Sequence, residues 1–224
     1  MPTRRQLRKE SVEANRDELP EIRAIAPFDE EVIRAAFEAE EKWSENRFER
    51  LRDRRAAVAT IRHATDRFAA AHGFAVTTAA EPSAIRFPLR NTCFKYTRQE
   101  SGSLANAQYR MEKGEPVMVS LVHEDNGLIA YTITDLNEDQ TEGEVKILDV
   151  DLYSRREAGL SATVTIEGKE FQVGAAHVAL KSLLDTLNVP LVSDVTSPSS
   201  RYVFKSLGFV HDNTQSNPCI LQKP

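Results

Sequence analysis

With 224 residues the chain is long enough for one sizeable core plus an extension or for two small domains, and one core with an added arm is the simpler reading. Its net charge of -5 provides no basic field for nucleic acid, and the local cluster Arg4, Arg5, Arg8 and Lys9 reads as a solvated tail. No apolar run approaches a membrane span, and the basic start is not followed by an apolar h-region, so a soluble cytoplasmic protein is expected, with no membrane partner.

Residues 1–20 are polar and read as a disordered tail. From Asp29 to His72 the chain is dense in Glu, Arg and Ala. Val32, Ile33, Phe37, Phe48, Leu51, Val58, Ile61 and Phe68 recur there at mostly helical spacing, which predicts one long helix or two. Asp29 is placed to cap this region and Gly73 to end it, so 21–75 is read as a helical arm over the main domain or a partner. A homodimer through these helices is an open alternative, although the apolar positions keep no strict heptad. Residues 76–224 form the main domain.

Val76 to Ser103 holds Pro82, Pro88 and Gly102 and reads as loops with at most one or two short strands. Three strands follow: Pro116 to His123, Leu128 to Thr134 after an Asn126-Gly127 hairpin signal, and Glu144 to Tyr153. They predict an antiparallel meander. Ala162 to Ile166 and Glu170 to Val173 flank a turn at Glu167-Gly168-Lys169, a second hairpin. Gly174-Ala175-Ala176 opens a helix to about Leu187, and Leu191 to Val195 reads as a strand. Ser197 then caps a helix with Pro198 in its first turn and Gly208 at its end, and Phe209-Val210 is a final strand.

The two cysteines, Cys93 and Cys219, are far apart, and His63, His72, His123, His177 and His211 are scattered. Neither set has ligand spacing, so reduced structural thiols and no metal site are expected.

The hairpin His123-Glu124-Asp125-Asn126-Gly127-Leu128-Ile129-Ala130-Tyr131 and the closing stretch Ser197-Pro198-x-Ser200-x-x-Val203-Phe204-x-x-x-Gly208-Phe209 occur in this order of elements. Over roughly 116–210 the chain resembles the GNAT family of acyl-CoA-dependent N-acyltransferases. The resemblance implies an α+β fold, a GNAT-like mixed sheet of antiparallel meander and then helix-strand-helix-strand, carrying the N-terminal helical arm. It implies transfer of an acetyl group from acetyl-CoA to an amine. The family frame has Asn where Ser197 stands and Tyr where Phe204 stands, and that tyrosine is the family's proton donor to the leaving thiolate; phenylalanine has no proton to give.

The resemblance also implies a small-residue loop whose backbone amides meet the cofactor pyrophosphate. Two segments compete. Arg156-Glu157-Ala158-Gly159-Leu160-Ser161 keeps the pattern through Arg156 and Gly159 but is followed by β-like residues. Gly174-Ala175-Ala176 opens a helix, with Gln172 one place late, and is favoured by its distance from Gly208. On that choice residues 155–172 are an inserted hairpin that reshapes the acyl-CoA groove. Backbone of Val150 to Leu152, Val150 and Leu152 among them, is implied to face the thioester. Asp149 and Asp151, on one face of the same strand, are the candidate bases, unless they are only its solvated side. A second reading keeps the scaffold without catalysis, as a binding or structural module with a protein partner on the arm; it accounts for Phe204, the altered loop and the insertion together.

Overall fold

The computed structural model describes residues 48, 50–85, 98–124, 127–150, 161–195, 197–211 and 220–223, all within one compact unit of the chain, 40–224. The tail 1–20, the arm up to residue 47, the cap expected at Asp29, and Cys93, Asp151, Leu152, Arg156, Gly159 and Cys219 lie outside the described residues.

Helix α1 spans Arg54–His72. Asp53 starts it by accepting the Ala56 N–H at 3.0 Å, and Gly73 stops it as expected. Ala57, Ile61, Thr65 and Phe68 recur every three or four residues and form its buried stripe. Strand β1, Ala75–Ala79, follows.

Helix α2, Arg98–Glu112, corrects the expectation of loops up to Ser103, since Gly102 is a helical residue. The buried stripe of α2 is Leu104, Ala107 and Met111, just past the stretch read as loop. A glycine near a helix start costs only about 1 kcal/mol against alanine, and burial of that stripe outweighs it.

Strands β2 (Val117–Glu124), β3 (Gly127–Leu136) and β4 (Gly143–Val150) form the expected antiparallel meander, with β1 added on the β2 edge. Strands β5 (Ser161–Ile166) and β6 (Lys169–Gly174) form a separate hairpin. Then come helix α3 (Ala175–Thr186), strand β7 (Leu191–Asp194), helix α4 (Pro198–Ser206) and strands β8 (Val210–His211) and β9 (Ile220–Lys223). The order across the main sheet is β1-β2-β3-β4-β7-β9-β8. Among the described strands only the β4–β7 pair is parallel, as the crossover through α3 requires. Strand β9 was not foreseen; it inserts between β7 and β8, so the last strand expected from the sequence is the sheet edge and pairs with β9 alone.

The sheet separates two cores. On one face α3 and α1 bring Leu180, Leu183, Ile61 and Phe68 together with Val203 of α4 and Leu207 just past its end. On the other, the α2 stripe packs on Val117, Val119, Leu121 and Ile133. Each fully buried aliphatic side chain contributes about 1.5–3 kcal/mol.

The β5–β6 hairpin is engaged by the start of α1. Its turn holds Glu167 at φ 48° and Gly168 at φ 74°, a conformation that disfavours glutamate. The Glu167 carboxylate accepts the Arg52 and Asp53 amides at 3.1 and 3.3 Å, and Phe48 meets Phe171 edge-on at 6.2 Å. The unusual turn residue is therefore explained by the carboxylate it delivers.

Gly143 begins β4 between its two neighbours. A Cβ there would stand 2.8 Å from the Cδ2 atoms of both Leu136 and Leu191 and 3.2 Å from the Asp135 carbonyl oxygen. Gly143→Ala is therefore expected to lower the unfolding free energy by about 1–3 kcal/mol in a denaturant titration. An unchanged midpoint would show that β4 and β7 are not held this closely.

Candidate functional site

The decisive geometry is where β4 and β7 part. Their ladder has two positions, Gly143 with Leu191 and Glu144 with Val192. One residue further on, the buried Ser193 hydroxyl donates to the Val145 carbonyl at 2.9 Å, so a side chain makes the last tie between the strands. Beyond it β4 runs on to Val150 along β3 with no partner on its other side among the described residues.

The opening is a cleft of about 270 Å³. Its walls are Val145 to Asp149 of β4, Ser193 to Val195 at the end of β7, Ser197, Ser200 and Phe204 at α4, Tyr131 of β3 and Ser103 of α2. The cleft thus mixes an apolar floor with hydroxyls, the carboxylates of Asp149 and Asp194, and Lys146, which is paired with Glu144 at 2.5 Å. Such a mixture suits a small organic ligand.

An antiparallel meander, a crossover helix, a parallel strand that splays from the meander and a closing helix facing the gap together match the frame that the sequence resembles. The fold is GNAT-like. Similar solved structures include a putative GNAT-family acetyltransferase from Desulfovibrio desulfuricans, at 11% identity and TM-score 0.41, over 67% of this chain and 98% of that one. A GNAT-family acetyltransferase from Bacillus cereus is similar at 15% identity and TM-score 0.42, over 67% and 96%. The PaiA N-acetyltransferase of Thermoplasma acidophilum, solved in complex with coenzyme A, is similar at 10% identity and TM-score 0.39, over 66% and 98%. No family model and no curated protein matches the sequence.

Asp149 lies at the cleft, paired across the sheet with Tyr131 on the same face. Its Oδ1 accepts the Val150 N–H at 2.8 Å. The direction of that amide follows from the register. The Val145 carbonyl faces β7, and across the bulge between Ile133 and Thr134 the alternation turns Leu148 and Val150 away from β3 and toward the gap. The Val150 amide expected at the thioester thus faces the opening, with a carboxylate already on it.

Gly174 is the residue before the first turn of α3, in extended conformation; it has no side chain to cap that turn, and its own N–H is taken by the His177 ring. Ala175 and Ala176 therefore present backbone amides at a helix start, the arrangement that suits an anion. Ser161, the one described residue of the rival loop, pairs directly with Gly174 in the hairpin. Gln172 is otherwise engaged: its N–H donates to the Tyr202 hydroxyl at 3.1 Å, and that hydroxyl donates to the Gln172 carbonyl at 2.9 Å. Burial pushes the Tyr202 phenol up to about 12, the bond to Gln172 offsetting part of the rise. Tyr202 is a brace between α4 and the hairpin, not a proton donor to the cleft.

Phe204 lines the cleft, buried edge-on against Phe209 with ring centroids 4.8 Å apart. Gly208, at φ 104°, makes the turn that folds Phe209 back, and the Phe209 N–H donates to the Phe204 carbonyl at 3.1 Å. The position aligned with the family tyrosine is thus at the cleft, without a hydroxyl.

His177, Ser193 and Ser206 carry structural roles that sequence reasoning missed. Ser193 had a signal: it sits between Leu191 and Val195 at an inward position of the strand, where a polar residue needs a partner. The His177 Nδ1 accepts the Gly174 N–H at 3.2 Å, which leaves the proton on Nε2, facing the Ser206 hydroxyl at 3.1 Å; Ser206 donates onward to the Val203 carbonyl at 2.9 Å. The direction of donation, from histidine to serine, excludes serine activation and makes the pair a tie between α3 and α4.

Burial lowers the His177 pKa from its ordinary 6.5 to about 3. The unfolded chain therefore takes up a proton that the folded chain refuses. Stability contributed by the neutral ring is complete above pH 6.5 and is lost as pH falls toward 3. His177→Asn is expected to remove up to about 1.4 kcal/mol per pH unit from the slope of unfolding free energy between pH 6.5 and 5. Parallel slopes for the two proteins would mean that the ring is not held neutral.

Proposed function

We propose that the chain is an N-acyltransferase that moves an acetyl group from acetyl-CoA to an amine, with the splayed β4–β7 cleft as its active site. The parting of these strands after two paired positions carries the reading, because it leaves strand amides facing a gap, while the first turn of α3 offers further amides for an anion. The donor set fits the cofactor: backbone amides at Ala175 and Ala176 for its anionic part, and the Val150 N–H for a carbonyl. Bound acetyl-CoA supplies an activated acyl group as a thioester.

The protein's own part is positional and acid–base. Asp149, half-buried at the cleft, is the proposed base that takes a proton from the amine. Asp151 is a second proposed base, outside the described residues. The Val150 N–H stabilises negative charge developing on the carbonyl oxygen. Phe204 supplies no proton, so the final proton comes from water. This last feature favours a second reading, a scaffold that binds without turnover.

Both readings are separated by a thermal melt and a thiol-release assay on the full chain. At a hundred times its dissociation constant, acetyl-CoA is expected to stabilise the protein by about 2.7 kcal/mol. Thiol release with an amine panel then marks an enzyme, whereas binding with no release against any amine marks the scaffold. No stabilisation at millimolar acetyl-CoA would overturn both. Ala176→Asp is a sharper probe, because an acidic residue in a first helical turn suits the helix dipole but repels an anion. This variant is expected to keep its own melting temperature and lose the acetyl-CoA shift; a retained shift would remove the start of α3 from the site.

A further inference from the structure

We infer that the Asp149 carboxylate is a ligand-displaceable latch on the Val150 amide, so that binding of an acyl carrier's amide or thioester carbonyl at β4 also releases the base. The inference rests on the proposed acyltransferase reading.

Strand amides that have lost a neighbouring strand must find another partner or stay in water. Past Val145 no strand among the described residues flanks β4 on the side of the gap, and the structure answers at Val150 with the side chain of the preceding residue, at 2.8 Å. The bond spans a single peptide unit. It therefore breaks and re-forms without moving any other element, unlike the Ser193 tie at the base of the gap, which joins two strands. A carbonyl laid along β4 competes for the same N–H. The displaced carboxylate stays in the cleft, since Asp149 is held in register with Tyr131 and both line it.

Two consequences follow. Occupation of the amide by its own neighbour lowers affinity for the carrier, and a carboxylate oxygen engaged by that amide is not free to accept from an incoming amine. The latch therefore orders the events: the carrier binds first, and only then does Asp149 become free to take a proton from the amine. An amine that enters early meets a base already engaged.

The test uses the full chain and three variants. Asp149→Ala removes the latch and its charge, Asp149→Asn removes the charge but keeps an oxygen acceptor, and Asp194→Asn removes a carboxylate of the same cleft that has no bond to Val150. Without ligand, hydrogen exchange of the Val150 amide, followed by NMR, is expected to speed about tenfold in Asp149→Ala and much less in Asp149→Asn. In an acetyl-CoA titration the dissociation constant is expected to fall about tenfold in Asp149→Ala, less in Asp149→Asn and least in Asp194→Asn.

Equal Val150 exchange in wild type and Asp149→Ala would overturn the latch whatever the cofactor does. Equal tightening in Asp149→Ala and Asp149→Asn would reduce the effect to charge and overturn it as well. Absence of acetyl-CoA binding in all four proteins would instead overturn the acyltransferase reading and the latch's role in it, while the exchange rates would still show whether the bond exists.

Discussion

Two parallel strands that share only two paired positions set the terms for everything else in this structure. A sheet that opens in its middle loses ladder hydrogen bonds and exposes apolar side chains between the strands, so each group along the gap needs a substitute. At the base Ser193 reaches the Val145 carbonyl; further out Asp149 takes the Val150 amide. Gly143 allows the strands to approach closely where they do pair, since its missing side chain leaves room for Leu136 and Leu191 on either side. Close approach at one end and separation at the other define the cleft.

An open sheet is stable only if the elements around it are tied independently of the missing ladder. Here the ties run between helices and the hairpin. His177 and Ser206 join α3 to α4, Tyr202 joins α4 to β6, and Glu167 joins the hairpin turn to the start of α1. Lys181 on α3 pairs with Asp66 on α1 at 2.7 Å. These groups lie on the side of α3 and α1, so they hold the frame while leaving the mouth lined by Asp149, Asp194 and the serines of α4. Their polarity is accordingly structural.

The inserted hairpin changes meaning in this setting. Its tip is held by the backbone of Arg52 and Asp53, and its last residue opens α3. It therefore ties the residues just before α1 to the start of α3 by hydrogen bonds and packing.

Much of the scaffold was legible without coordinates, because it is specified locally. Ser197, Pro198 and Gly208 mark the ends of α4, Asn126-Gly127 and Glu167-Gly168 mark hairpins, and alternation marks the strands. Gly174 was recognised as a helix start from the small residues that follow it, and Phe204 as a position without a proton from the resemblance of the closing helix to the family frame. Helix α2 was missed because Gly102 masked its first turns, and β9 because four residues carry too little pattern. What only tertiary structure decided are the partnerships across the chain: that Ser193 bridges to Val145, that Tyr202 occupies both backbone groups of Gln172, that Ser161 and Gly174 stand opposite each other, and that the Val150 amide faces a gap with Asp149 upon it. Local sequence encodes the dihedral angles of an element and the face it buries. Which hydrogen-bonding group is left over depends on where two distant strands cease to run together, and that is settled only when the whole sheet has closed.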